Sequence, residues 1–253
     1  MIGRRTRVIA RIDVKNEFVI KGIHLEGVRK VGDPIELARK YYLAGVDEII
    51  FMDAVASLYN RNNLFHIIEK ACSEVFIPIT IGGGIRSISD IATALHCGAD
   101  KISINTQAIK QPSLISQASE IYGSQCIVGS IEAKKKGNWW EAYIDNGRQE
   151  TGISVVEWAK ELERLGAGEI LLTSVDMEGT KNGFDIELID AVYNAVNIPV
   201  IISGGFGKPD HIKAIFNQIH LDALAFASVF HYNLFSVGEV KNIMIQNNLN
   251  VRR

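Results

Sequence analysis

The chain has 253 residues, 47% hydrophobic and 22% charged, with 29 acidic and 27 basic side chains for a formal charge of −2. That balance suits a globular protein with a sizeable core and excludes any global attraction to nucleic acid or an anionic membrane, so anions must be bound locally. Three cysteines without CxxC spacing, Cys72, Cys97 and Cys126, read as buried small hydrophobes in a reducing compartment. With no apolar run near the ~18 residues of a membrane span and no signal-type apolar core before Asp13, a cytoplasmic location is expected.

The first predicted strand is the apolar run Val8–Ile12, which ends on Asp13 and is followed by a long connection from Val14 to Gly32. Asp33-Pro34 then sets an N-capping acid before a proline at the first helical position. Ile35, Leu37, Ala38 and Tyr42 continue at helical spacing until Ala44-Gly45 closes the helix. The second run is Glu48–Met52 and the third is Ile77–Ile81, which opens onto Gly82-Gly83-Gly84. Ser87 with Asp90 has the form of a capping-box variant ahead of Ile91, Ala94 and Leu95. Lys101–Ile104 and Gln125–Ile131 are the fourth and fifth runs. The fifth, like the first, precedes a long connection, Lys134 to Gly152, in which Trp139-Trp140-Glu141-Ala142-Tyr143 predicts a small hairpin. Ser154 to Leu165 predicts a helix with Val155, Val156, Trp158, Ala159, Leu162 and Leu165 apolar and charges on the other side. Glu169–Thr173, Pro199–Ser203 and Asp222–Phe226 complete eight runs, each nearly continuous in apolar character, as strands buried on both faces require.

Four segments recur in the same order. Asp13-Val14-Lys15 returns as Glu132-Ala133-Lys134 after 119 residues, Glu48–Asp53 as Glu169–Ser174 after 121, Ile81–Gly84 as Ile202–Gly205 after 121, and Asp100–Asn105 as Asp222–Ser228 after 122. Two copies of a four-strand half, roughly residues 1–123 and 124–253, predict one α/β domain, a (β/α)8 TIM barrel. An open doubly wound sheet is the alternative, but it would leave the two halves inequivalent.

The repeat doubles the candidate site. Gly83 and Gly84 after strand three, and Gly204 and Gly205 after strand seven, let backbone N–H groups approach a phosphate at a helix start. Asn105 and Thr106 after strand four, and Ala227 and Ser228 after strand eight, add amide and hydroxyl donors beside them. Asp13 and Glu132 end strands one and five, which face each other across a barrel, and a carboxylate pair there suits general acid and base work. A substrate with a phosphate at each end and chemistry between them is implied. Arg7, Glu48, Lys101 and Glu169 begin or precede their strands, so they point to the opposite end of the barrel, where unpaired charge is costly and they should pair. Lys134-Lys135-Lys136 reads as a solvated loop tip. The six histidines lack ligand spacing and the glycine triplet is not GxGxxG, so neither metal nor cofactor is expected.

Taken together, these motifs resemble the cyclase subunits of imidazole glycerol phosphate synthase, the HisF family of histidine biosynthesis. The resemblance spans the chain through Ile12-Asp13-Val14-Lys15, Val19-Ile20-Lys21-Gly22, Gly32-Asp33-Pro34, Ile81–Ile85, Asp100–Thr106, Gly166–Ser174, Gly179-Thr180-Lys181, Ser203-Gly204-Gly205 and Ala227–His231. It implies a (β/α)8 barrel forming a heterodimer with a glutaminase subunit. Ammonia would cross the barrel to a bisphosphorylated formimino carboxamide ribotide, giving imidazole glycerol phosphate and an aminoimidazole carboxamide ribotide. By resemblance, Asp13, Glu132 and Lys21 are catalytic, with Lys21 on a mobile loop over the substrate, and Arg7, Glu48, Lys101 and Glu169 gate the ammonia. Thr173, Glu178, Gly179 and Ser203 join the glycines as substrate-binding positions.

Four changes from the family fall at the mouth. Glu132 and Glu178 stand where the family has Asp, Arg11 replaces a small residue, and Glu17-Phe18 replaces Gly-Arg. Arg11 would lower the pKa of Asp13 if the two approach. The same pattern resembles HisF-like paralogues thought to deliver ammonia for acetamidino sugars in surface-glycan clusters. A scaffold that only docks a glutaminase is the non-enzymatic alternative.

Overall fold

A computed structural model describes residues 5–56, 65–216 and 221–252; Met1–Arg4 and His220 lie outside them. In order, the first half gives β1 (Arg7–Lys15), β2 (Phe18–Ile23), β3 (Glu26–Gly32), α1 (Pro34–Leu43), β4 (Glu48–Asp53), α2 (Phe65–Glu74), β5 (Ile79–Gly82), α3 (Ile88–His96), β6 (Lys101–Ile104), α4 (Thr106–Lys110) and α5 (Ser113–Tyr122). The second gives β7 (Ile127–Lys136), β8 (Trp139–Ile144), β9 (Gln149–Ser154), α6 (Val155–Arg164), β10 (Glu169–Ser174), α7 (Ile186–Tyr193), β11 (Val200–Ser203), α8 (Pro209–Phe216), β12 (Ala223–Phe226), α9 (Ser228–His231) and α10 (Val237–Gln246). The eight predicted runs are the eight parallel strands. β1 pairs with both β4 and β12, and β7 with both β6 and β10, so the sheet closes on itself as a (β/α)8 barrel.

The helix starts follow from local chemistry. Asp33 accepts hydrogen bonds from the Ile35 and Glu36 amides at 2.8 and 2.9 Å, with Pro34 needing none. Ser87 accepts from Asp90 at 3.2 Å, while Asp90 accepts from the Arg86 amide at 2.9 Å, one residue earlier than in a strict capping box. On α6, Val155, Trp158, Ala159 and Leu162 are buried at helical spacing, each large side chain contributing roughly 1.5–3 kcal/mol of burial. None of the helices among the described residues is long and apolar enough to cross a membrane.

Period-two alternation sorts each strand. Val8, Ala10 and Ile12 belong to the main core under the helices, whereas Ile9 joins Ile50, Val128, Leu171, Ile201, Ala223 and Ala225 in a separate apolar cluster. That smaller cluster fills the barrel interior, and it fixes what lies above and below it. Arg7 sits on the same face of β1 two residues before Ile9, and Arg11 and Asp13 follow on that face toward the mouth.

Both long connections are hairpins. β8 folds antiparallel onto the extended β7, as the Trp-Trp segment predicts, and β9 onto β8. The connection after β1 is likewise a hairpin, β2–β3, held to β1 through Val14 and Val19. This places Lys21 within a strand, where the resemblance implies a loop. Its neighbours Val19 and Ile20 are buried, and β2 pairs on both edges, so the segment is sheet. The cysteines are free, as expected, but half-buried rather than buried, because they lie near helix ends where the outer layer meets solvent.

Candidate active site

Asp13, at the mouth end of β1, is buried and gripped from two sides. Arg11, two residues earlier and so on the same face, donates from Nε to Oδ1 at 2.8 Å. Lys21, descending from β2, places Nζ 3.6 Å from Oδ2. Burial pushes the Asp13 carboxyl up, but the Arg11 and Lys21 charges outweigh it and hold its pKa below the usual carboxylate value. Lys21 is itself buried and ion-paired with Glu178. Burial lowers its ammonium to about 8, with Asp13 opposing and Arg11 reinforcing the fall; the adjacent Glu178 carboxylate favours the cation. The predicted approach of Arg11 to Asp13 is thus present, with its predicted sign.

Glu132, at the corresponding place on β7, has the opposite environment. It is buried with one fixed donor, the Gly147 amide at 2.7 Å. Burial raises its carboxyl to about 7, against the Gly147 bond and Arg11, while Asp13 and Asp145 add to the rise. One carboxyl is held ionised and the other titrates near neutrality, the separation that acid and base roles need.

Two cavities flank this pair. The first is lined by Gly83, Gly84, Asn105 and Thr106, together with Glu132, Arg11, Arg86, Lys110 and Asn146. The second is lined by Glu178, Gly179, Ser203, Gly204, Gly205, Ala227 and Ser228, with Lys181 at its edge. The glycines are sterically required. A Cβ on Gly83 (φ +90°) would meet the Asp53 carbonyl oxygen at 2.3 Å, and one on Gly205 (φ +103°) would meet that of Gly183 at 1.8 Å. Each cavity adjoins the first turn of a short helix, α4 or α9, whose free N–H groups favour an anion. Thr173 is the expected substrate-binding residue that lines neither cavity; its hydroxyl accepts from Arg11 Nη1 at 2.8 Å instead.

At the other end of the barrel the four predicted charges form one closed ring. Arg7 contacts Glu48 at 2.7 Å and also Glu169, and Lys101 reaches the same two carboxylates at 3.1 and 2.9 Å. Burial disfavours the Arg7 charge, but Glu169 and Glu48 outweigh that and raise its pKa. Between ring and mouth the interior carries the hydroxyls of Thr80 and Ser103, buried and without partners among the described residues.

Sequence reasoning did not assign Arg86, Lys110, Asn146 and Lys181 to the cavities, nor Gly147 to Glu132. Arg86 had a signal, being two residues past the glycine triplet; the 145–147 turn had none, since it reaches the mouth only through the β8–β9 hairpin. No group of three or more His, Cys, Asp or Glu side chains among the described residues could hold a metal ion.

A family model described as "Histidine biosynthesis protein" matches residues 7–236. The chain is 48% identical over 252 residues to the imidazole glycerol phosphate synthase subunit HisF of Pyrococcus furiosus, covering 100% of this chain and 99% of that one. It is 58% identical over 203 residues to HisF of Legionella pneumophila, covering 80% and 96%, and 46% identical over 247 residues to HisF of Bacillus cereus, covering 97% and 98%. With the closed barrel, the doubled glycine-lined cavities and matches of this length, the chain belongs to the HisF family of imidazole glycerol phosphate synthase subunits.

Proposed function

We propose that the chain is the cyclase of an imidazole glycerol phosphate synthase: it uses ammonia to convert a bisphosphorylated formimino carboxamide ribotide to imidazole glycerol phosphate and aminoimidazole carboxamide ribotide, in the cytoplasm. The observation that carries this reading is the buried Asp13–Glu132 pair, two carboxyls with opposite pKa shifts, between two glycine-lined cavities in a member of this family. The phosphates occupy the cavities and the reacting atoms lie over the carboxyls. Ammonia adds to the ribulosyl ketone and water leaves. The new nitrogen then closes onto the formimino carbon and expels the carboxamide ribotide. Ionised Asp13 accepts protons from the attacking nitrogen; Glu132, half-protonated near neutrality, returns them to the leaving groups. Lys21, between Asp13 and Glu178, holds both carboxylates in place.

Ammonia comes from a glutaminase partner, forming a heterodimer at the face that carries the ring. That face exposes Leu43 and Phe76, 73% and 75% accessible, at the α1 and α2 ends that surround it. The Thr80 and Ser103 hydroxyls offer a neutral molecule hydrogen bonds between ring and mouth. The test is turnover of the formimino ribotide by the isolated chain with ammonium salt at alkaline pH, followed by absorbance. Turnover that Asp13→Asn abolishes is the expected result. A folded, glutaminase-binding chain without turnover would overturn it. Arg11, Glu132 and Glu178 then favour an ammonia-delivering subunit for acetamidino sugar synthesis, whose mouth has changed while its ring has not; a pure docking scaffold would show ammonia transfer indifferent to Asp13.

A further inference from the structure

Arg11 is built into the site more firmly than a charge beside Asp13 requires. It is 2% exposed and its side chain leaves β1 above the interior layer that contains Ile9. The guanidinium reaches past the neighbouring β12, where Nη1 donates to Ser203 Oγ on β11 at 3.2 Å and to Thr173 Oγ1 on β10 at 2.8 Å. With Nε on Asp13 at 2.8 Å, three strands fix the plane of the group. The remaining nitrogen, Nη2, donates no hydrogen bond among the described residues, yet Arg11 lines the first cavity beside Glu132 and Asn146. The Nη2 edge is not sealed off among the buried polar atoms that lack a partner; it is open to the cavity, where its two N–H donors are available to an acceptor that enters. The plane of the guanidinium is preset, so little entropy is lost when an acceptor arrives.

We propose that Arg11 is a substrate-binding residue whose Nη2 edge donates to a carbonyl-type oxygen, ketone or carboxamide, carried between the two phosphates of the substrate. The acceptor is neutral because the buried cations Arg11 and Lys21 are already matched by Asp13 and Glu178, with Glu132 a further buried carboxyl beside them. A carboxylate would add an unmatched charge, whereas a carbonyl oxygen takes the donors without one. The arrangement makes Arg11 a specificity determinant: a ligand with both phosphates but no oxygen at that place leaves the fork unpaired, and rejection by an unpaired polar group is sharp.

The assignment rests on the two-phosphate reading of the cavities, and the experiment separates the two. Dissociation constants are measured calorimetrically without ammonia, so that nothing turns over, for the wild type, Arg11→Met and Arg11→Lys. The probes are the formimino ribotide, which has both a ketone and a carboxamide; the aminoimidazole carboxamide ribotide, which has only the carboxamide; aminoimidazole ribotide, which has neither; and inorganic phosphate. Both variants are expected to lose about 10–100-fold in affinity for the formimino ribotide, the scale of a hydrogen bond from a charged donor, with phosphate and aminoimidazole ribotide unchanged. Equal loss for the carboxamide ribotide would identify the carboxamide as acceptor, and loss confined to the formimino ribotide would identify the ketone. Arg11→Lys keeps a charge beside Asp13 but not the planar fork, so its loss shows positioning rather than charge, and it carries the test if Arg11→Met fails to fold. Unchanged affinity, or an equal drop for all four probes, overturns the role of Arg11 and leaves the two-phosphate reading standing. No binding of the formimino ribotide to folded wild type overturns both.

Discussion

Replacing Glu132 with Gln removes an ionisation that the fold opposes, and the effect can be sized. The Glu132 carboxyl titrates at about 7 in the folded chain against 4.5 when exposed. Each pH unit of difference is worth about 1.4 kcal/mol, so full ionisation costs the folded state roughly 3 kcal/mol. The folded pKa is the raised one, so the native state binds the extra proton. Its stabilising contribution is complete below pH 4.5 and is lost as pH rises through about 7. Glutamine keeps the shape and the acceptor for the Gly147 amide but does not ionise. Urea unfolding of wild type and Glu132→Gln at pH 5 and pH 8 isolates the group, because every other titration cancels in the difference. Glu132→Gln is expected to gain about 2–3 kcal/mol on wild type between the two values. Parallel pH dependence of the two proteins would refute the argument that burial sets this carboxyl, and with it the acid role assigned to Glu132.

Asp13→Asn should lower ammonium-dependent turnover by about 10²–10⁴-fold, the range for removing a general base, while the dissociation constant for the substrate stays within a few-fold; near-normal turnover would remove Asp13 from the mechanism. Lys101→Met leaves two buried carboxylates to Arg7 alone, so it should cost about 1–3 kcal/mol and lower glutamine-dependent turnover more than ammonium-dependent turnover, as assays with each nitrogen source will show. Gly205→Ala forces a Cβ into the Gly183 carbonyl at a φ of +103°. Strain alone is about 1–3 kcal/mol, so thermal unfolding should shift down and phosphate binding at the second cavity should be lost; an unshifted protein would mean that the turn relaxes freely.

The barrel was legible because its signals are local. A strand buried on both faces needs a continuous apolar run, and all eight were visible; the repeat then supplied closure. The ring was legible for a related reason: at the start of a strand, period two decides which face a charge takes, and Arg7, Glu48, Lys101 and Glu169 all fall on the interior face. The mouth was harder. Lys21 lies in Phe18–Ile23, where a lysine amid apolar residues gives no sign that it points into the site rather than to solvent. Arg11 was visible as an odd charge within an apolar run, but its partners Thr173 and Ser203 lie 162 and 192 residues away, and no local pattern encodes such distances. Thr173 was assigned to the substrate by resemblance, and only the long reach of Arg11 shows that its hydroxyl also takes part in a hydrogen bond within the chain.

The ring also bears on the order in which this chain can fold. Three of its four charges, Arg7, Glu48 and Lys101, come from the first half, and only Glu169 from the second. A first half on its own brings together two cations and one anion, with β1 still lacking β12 on its open edge. Neutrality at the base requires Glu169 against Arg7, 162 residues away in the chain, and the entropy of closing so long a loop has to be met before that contact can repay it. The repeat therefore does not make the halves equivalent: the first carries one charge in surplus at its base, and only the second completes it.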